Sequence, residues 1–209
     1  MSRSDCFIVL AAAAASFTAT IASAQAPPMG GPMQMYMVSI DTDAQTLMAM
    51  PMSPDFTTVE LQNYGDTYSG AAAVLNGTWF NRQWGWNSSG FADLGDNRVW
   101  IELLSATPGL SIYSGGAFGN AGTFDPIFGT EGSSNRIAWN GVMLHNWYAG
   151  TTPGFYAHSY RLYVGDAEGN DLGWSSAQVE WTFSIVPAPG AMAVFAAGGL
   201  LAGGRRRRR

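Results

Sequence analysis

Residues 178–185 read Gln-Val-Glu-Trp-Thr-Phe-Ser-Ile, and polar and apolar side chains alternate there without a break. A β-strand points successive side chains to opposite faces. One face of this segment therefore carries Val179, Trp181, Phe183 and Ile185, and the other carries Gln178, Glu180, Thr182 and Ser184. That pattern marks a half-buried strand in a sheet with one face on a core and one in water. Pro187 follows closely, and proline cannot donate to a sheet ladder, so the strand has a natural end.

The same two-residue period runs back along the chain. Residues 155–165 place Tyr156, Tyr160, Leu162 and Val164 on one face. Residues 98–105 separate Val99, Ile101 and Leu103 from Arg98, Trp100 and Glu102. Residues 34–41 and 56–61 read as shorter strands. Met48, Met50 and Met52 alternate as well, while Pro51 and Pro54 confine that segment to a sheet edge or a loop. Asn76-Gly77 and Asn140-Gly141 are turn dipeptides that match the twist of a hairpin. They predict one hairpin from 71–75 into 78–86 and a second within 136–148. Residues 114–135 read as a long glycine-rich loop, unusual in a compact domain. Seven to nine short strands with turns between them predict an all-β fold, a single antiparallel β-sandwich or jelly roll over residues 33–185.

The two ends differ from this body. Residues 1–24 have a basic start at Arg3, an apolar run at 7–15 and an Ala22-Ser23-Ala24 cleavage pattern. They predict a helical signal peptide cut by signal peptidase, followed by a Pro/Gly linker at 25–32. Cys6 is the only cysteine, so the body after cleavage has no disulfide, thiol nucleophile or thiolate metal site. All but one of the fifteen acidic residues lie in 25–186, against only Arg82, Arg98, Arg136 and Arg161, which gives that body a formal charge of −10. So acidic a surface repels nucleic acid, which is not expected as a partner.

Residues 186–209 read VPAPGAMAVFAAGGLLAGGRRRRR. A Pro-x-Pro break (Val186, Pro187, Ala188, Pro189) precedes an uncharged run and a basic stop of Arg205, Arg206, Arg207, Arg208 and Arg209. The run is shorter than the roughly 20 apolar residues of an ordinary membrane span. Pro189 fits a first helical turn and Arg205 can snorkel to the headgroups, so a short transmembrane helix with cytoplasmic arginines is the expectation. The three-part order resembles the PEP-CTERM sorting signal of bacterial exosortase substrates: Pro-Glu-Pro, a transmembrane helix, then basic residues. Ala188 stands where that family carries glutamate. The resemblance covers residues 186–209 alone. It implies an exosortase-type processing enzyme as partner, transient anchoring in the cytoplasmic membrane, and delivery to the cell surface or extracellular matrix.

Candidate sites within the body are sparse. Phe80, Arg82, Trp84 and Trp86 share one face of a continuous strand through 78–86. They read as core; the alternative is an exposed row at Trp84 and Trp86 on which rings of an extracellular polysaccharide stack. Asp166, Glu168, Asn170 and Asp171 space oxygen atoms as a calcium loop does, but Asp171 sits where an EF-hand needs glycine and Ala177 where it needs glutamate. A turn whose Asp and Asn bond their own backbone is the simpler reading, with calcium as the alternative. His145 and His158 fall on different predicted strands without zinc-motif spacing. Glu60, Glu102 and Glu180 sit on outward strand faces, where solvated glutamate is ordinary. No nucleophile elbow or phosphate loop is present. The expectation is a non-enzymatic exported protein with no cofactor unless calcium. A carbohydrate-binding module is the second reading and a secreted glycan-active hydrolase the third.

Overall fold

The computed structural model describes residues 26–53, 58–90, 92–116 and 122–187. The signal segment with Ala22 and Ala24 lies outside the described residues, as do Ala188, Pro189, the apolar run and the five arginines. Among the described residues, no helix is long and apolar enough to cross a membrane.

The fold is all-β. The described residues form thirteen strands: β1 (Gln34–Asp41), β2 (Thr46–Pro51), β3 (Thr58–Leu61), β4 (Trp79–Asn81), β5 (Trp84–Ser88), β6 (Arg98–Ala106), β7 (Leu110–Gly115), β8 (Phe124–Ile127), β9 (Arg136–Trp139), β10 (Leu144–His145), β11 (Trp147–Gly150), β12 (Gly154–Gly165) and β13 (Ala177–Ile185). They pair into three sheets, ordered β10-β5-β1-β2, β4-β11-β7-β8 and β3-β13-β12-β6-β9. The first two sheets are continuous along the chain, because β4 runs into β5 and β10 into β11. Together they make one layer facing the five-stranded sheet. Most pairings are antiparallel, as expected, but β1–β5 and β3–β13 are parallel. Each parallel pair joins strands far apart in sequence, with other strands supplying the crossover.

The alternation of β13 holds for Val179, Trp181, Phe183 and Ile185, which are buried, and for Gln178 and Glu180, which are exposed. Ser184, read as outward, is instead buried at 7% exposure between β3 and β12. Trp181 has no exposed surface and stacks on Trp86 of the opposite layer at 4.7 Å between centroids. Tyr36 stacks on Trp181 at 6.0 Å, also meets Trp86 at 5.9 Å, and donates a 3.3 Å hydrogen bond to the Glu180 carbonyl, tying β1 to β13. A second core lies on the far face of the β4-β11-β7-β8 sheet, where Phe80, Tyr113, Phe124 and Trp147 pack with Tyr68 and Leu75.

The strand through 78–86 is not continuous. Asn81 pairs with Tyr148 and Gly85 with His145, so residues 82–84 face only 146 and 147. That extra residue is a β-bulge, and it reverses the side-chain parity. Phe80 consequently points into the second core while Trp84 and Trp86 point into the first. The shared face predicted for Phe80, Arg82, Trp84 and Trp86 is thereby corrected: Arg82 stays with Phe80 beside Trp147, and the two tryptophans turn to the other side.

Neither Asn-Gly dipeptide closes a hairpin. Residues 70–75 form a 3-10 segment instead of a strand, buried through Ala72 and Leu75. Asn76 closes it by accepting the Tyr68 N–H at 2.7 Å and donating to the Tyr68 carbonyl at 3.0 Å. At Asn140-Gly141 the strands on either side belong to different layers, β9 pairing with β6 and β10 with β5. The turn hands the chain from one layer to the other. The long loop at 114–135 also contains structure: β8 pairs with β7, and Thr130 Oγ1 accepts the Ile112 N–H at 2.8 Å.

Gly85 is where this layer closes most tightly. A Cβ there would lie 2.0 Å from the Leu144 carbonyl oxygen, so any side chain forces β5 and β10 apart. Gly85→Ala is predicted to lower the unfolding free energy by about 2–3 kcal/mol. Gly90→Ala, which would meet nothing within 4 Å, should change it by less than about 0.5 kcal/mol. Urea denaturation of both variants checks the contrast.

Candidate functional site

One end of the two layers opens into a cleft of about 780 Å³. Val99 of β6 with Ile137 and Trp139 of β9 line one side, and Ile40 of β1 with Leu144 of β10 line the other. These residues are there because strand alternation directs them inward, and the layers diverge at this end instead of interdigitating. The rim is polar, with Asp93, Asn97, Arg98 and Asn140. The Trp139 indole N–H donates to the Val142 carbonyl at 2.7 Å, and Asn140 Oδ1 accepts the Val142 N–H at 3.1 Å. That turn leaves Val142 and Met143 exposed at the mouth. Asp93 Oδ1 accepts the Gly95 N–H at 2.9 Å, so this carboxylate caps its own loop. The cleft suits an apolar body. Among the described residues that line it, no nucleophile is paired with a base and no second carboxylate stands opposite Asp93.

A second feature is interior. At the bulge, Arg82 is buried with its guanidinium 5.4 Å from the Trp147 ring centre and Nη1 3.3 Å from Met29 Sδ. Burial lowers its pKa. Asn146 lies opposite and is fully buried, and its side-chain amide makes no hydrogen bond of normal geometry. Further in, His158 Nδ1 lies 3.2 Å from the Tyr160 hydroxyl. Burial pushes the Tyr148 and Tyr160 hydroxyls well above their ordinary pKa. These groups are buried where the layers meet, and none of them lines the cleft.

The residues singled out in the sequence fall as follows. Trp84 and Trp86 are 5% and 0% exposed. Neither can offer a ring face to a sugar, which corrects the reading of them as a stacking platform: in a body without disulfides, the largest rings go to the core. The Asp166 carboxylate serves its own turn, accepting N–H groups of Glu168 and Asn170 and the Asn170 side-chain amide at 2.8–3.0 Å. Those bonds, led by the Asn170 side chain, hold its pKa below the ordinary value. Asp171 is instead bonded to Arg161 and to the Gly173 N–H. Asp166 and Asn170 thus bond each other while Asp171 turns to Arg161, so the four candidates do not converge on one point. Among the described residues, no three His, Cys, Asp or Glu side chains come together as a metal site. Glu60 and Glu180 are exposed, and Glu102 accepts a 3.4 Å bond from Asn135. Sequence reading missed the cleft, because its two walls come from loops and strands that only the layer-to-layer crossover at Asn140-Gly141 brings together.

No family model matches the chain, and no curated protein is similar enough to count as a relative.

His158 supplies a pH signature. It is 1% exposed, and burial lowers its pKa to about 4, from the ordinary value near 6.5. Above the unfolded value both states are neutral and the full stability is present. As pH falls through that value, the unfolded chain takes up a proton that the folded one refuses, and stability declines until the folded pKa is passed. The integrated loss is roughly 3 kcal/mol. His145, lowered mainly by burial and next by Arg82, adds in the same direction. The predicted outcome is that His158→Leu flattens the fall in urea midpoint between neutral and mildly acidic pH; an unchanged slope would contradict the assignment.

Proposed function

We propose that this protein is an exported, non-enzymatic component of a bacterial cell surface or extracellular matrix, delivered by its signal peptide and processed through its C-terminal sorting segment. The observation that carries the reading is the place where the body stops. β13 ends at Ile185, and Val186 is 58% exposed, so the chain leaves the core at the first residue of the Pro-x-Pro segment. A processing enzyme could reach Val186 with the sheet ahead of it intact. The acidic, thiol-free body supports the same reading, since it holds together by packing alone in any redox compartment. We read its two facing layers as a jelly-roll-like sandwich. Its open cleft lacks a catalytic pairing, which favours a structural or binding role over hydrolysis.

Mass spectrometry of the protein recovered from an exosortase-bearing host tests this. The expected product begins at Gln25, lacks residues 205–209 and is found outside the cytoplasm. An exported product that still ends in Arg209, or a folded cytoplasmic product with both ends intact, would overturn it.

A further inference from the structure

On β1 and β2 the outer face of the first sheet carries Met35, Met37, Met48 and Met50 beside Ser39, Asp41 and Thr46, with Met35 covered at 8% exposure. Six of the ten methionines, at 33, 35, 37, 48, 50 and 52, fall on or beside β1 and β2. Val38 and Leu47 point into the core, so Met37, Met48 and Met50 point away from it. Met37 lies directly opposite Met50 across the antiparallel pair, and Met48 lies opposite Ser39. Met48, Met50 and Met52 are 51%, 67% and 47% exposed. β2 is an edge strand, where natural sheets more often place charge or lysine against unwanted pairing. This chain places thioethers there.

We infer that Met37, Met48 and Met50 form a site for a soft monovalent cation of the copper(I) class. Directly opposed side chains on a sheet have Cβ atoms about 4.5–5.5 Å apart, and i,i+2 neighbours about 6.6 Å apart. Three flexible thioethers at those spacings can converge on one ion. Thioether sulfur is soft and neutral and selects copper(I) over hard cations, which need oxygen ligands. Neither β1 nor β2 contains arginine or lysine, and Asp41 and Asp43 lie at the turn between them, so the local charge favours a cation. Methionine also suits apolar docking faces; what favours an ion is the register, which sets Met37 directly opposite Met50 with Met48 on the diagonal. The inference stands whether or not the sorting segment is processed.

The test is anaerobic titration of the purified protein with copper(I) against a chromophoric chelator, repeated with silver(I) as a redox-inert probe. The expected result is stoichiometric binding that Met37→Leu, Met48→Leu and Met50→Leu together weaken on the order of 100-fold with no change in thermal midpoint. Leucine keeps the apolar area, so an apolar docking face would not register the change. X-ray absorption on the wild-type copper(I) complex gives a readout independent of the variant, with sulfur neighbours expected. Equal binding by the triple variant, nitrogen or oxygen coordination, or no binding in competition would each overturn the site.

Discussion

Burial of Trp181 between the two layers is the constraint on which the rest of the structure rests. Its ring meets Tyr36, Trp84, Trp86 and Tyr148 from one layer and Tyr160 and Phe183 from its own. Aromatic contacts of this kind contribute about 0.5–1.5 kcal/mol each beyond the area they bury. Cys6 is the only cysteine and precedes the body, so no disulfide shares the work. A domain whose total stability is of order 5–15 kcal/mol therefore depends on one aromatic cluster for a large fraction of it.

The cluster also dictates where the other features can be. Bringing Trp84 and Trp86 onto Trp181 requires the bulge at residues 82–84, since without it the strand would turn them to the same side as Phe80. The bulge in turn buries Arg82 beside Trp147 and sets Asn146 opposite it. Away from that centre the layers part, and the cleft between β6, β9 and the β1 end is the result. On the far side of β1 and β2 the sheet is covered over Met35 but open at Met48 and Met50, which are 51% and 67% exposed.

Much of this was legible in the residues. β6, β12 and β13 are long enough for period-two alternation to declare both the strand and its buried face, down to Ile101, Tyr160 and Phe183, while β1 declared itself only as a strand. Pro51 and Pro54 left β2 as an edge strand or a loop, and it is an edge strand. What failed was local chemistry overridden by distant packing. Asn76-Gly77 does make a turn, but Ala72 and Leu75 cap the second core as a 3-10 segment because alanine-rich sequence has little preference for a strand. Asn140-Gly141 turns as expected, yet a dipeptide carries no information about which sheet receives the next strand. The bulge left no mark at all, since Arg82 and Gln83 resemble ordinary strand residues. For the same reason the cleft was not readable: its walls are adjacent only through that crossover.

Equilibrium unfolding of Trp181→Ala tests the central role of the ring most directly. Removing it empties the contact between layers, and a loss of about 3–5 kcal/mol with collapse of near-ultraviolet dichroism is the result this account predicts. A variant that unfolds within about 1 kcal/mol of the parent, with its aromatic dichroism intact, would contradict it.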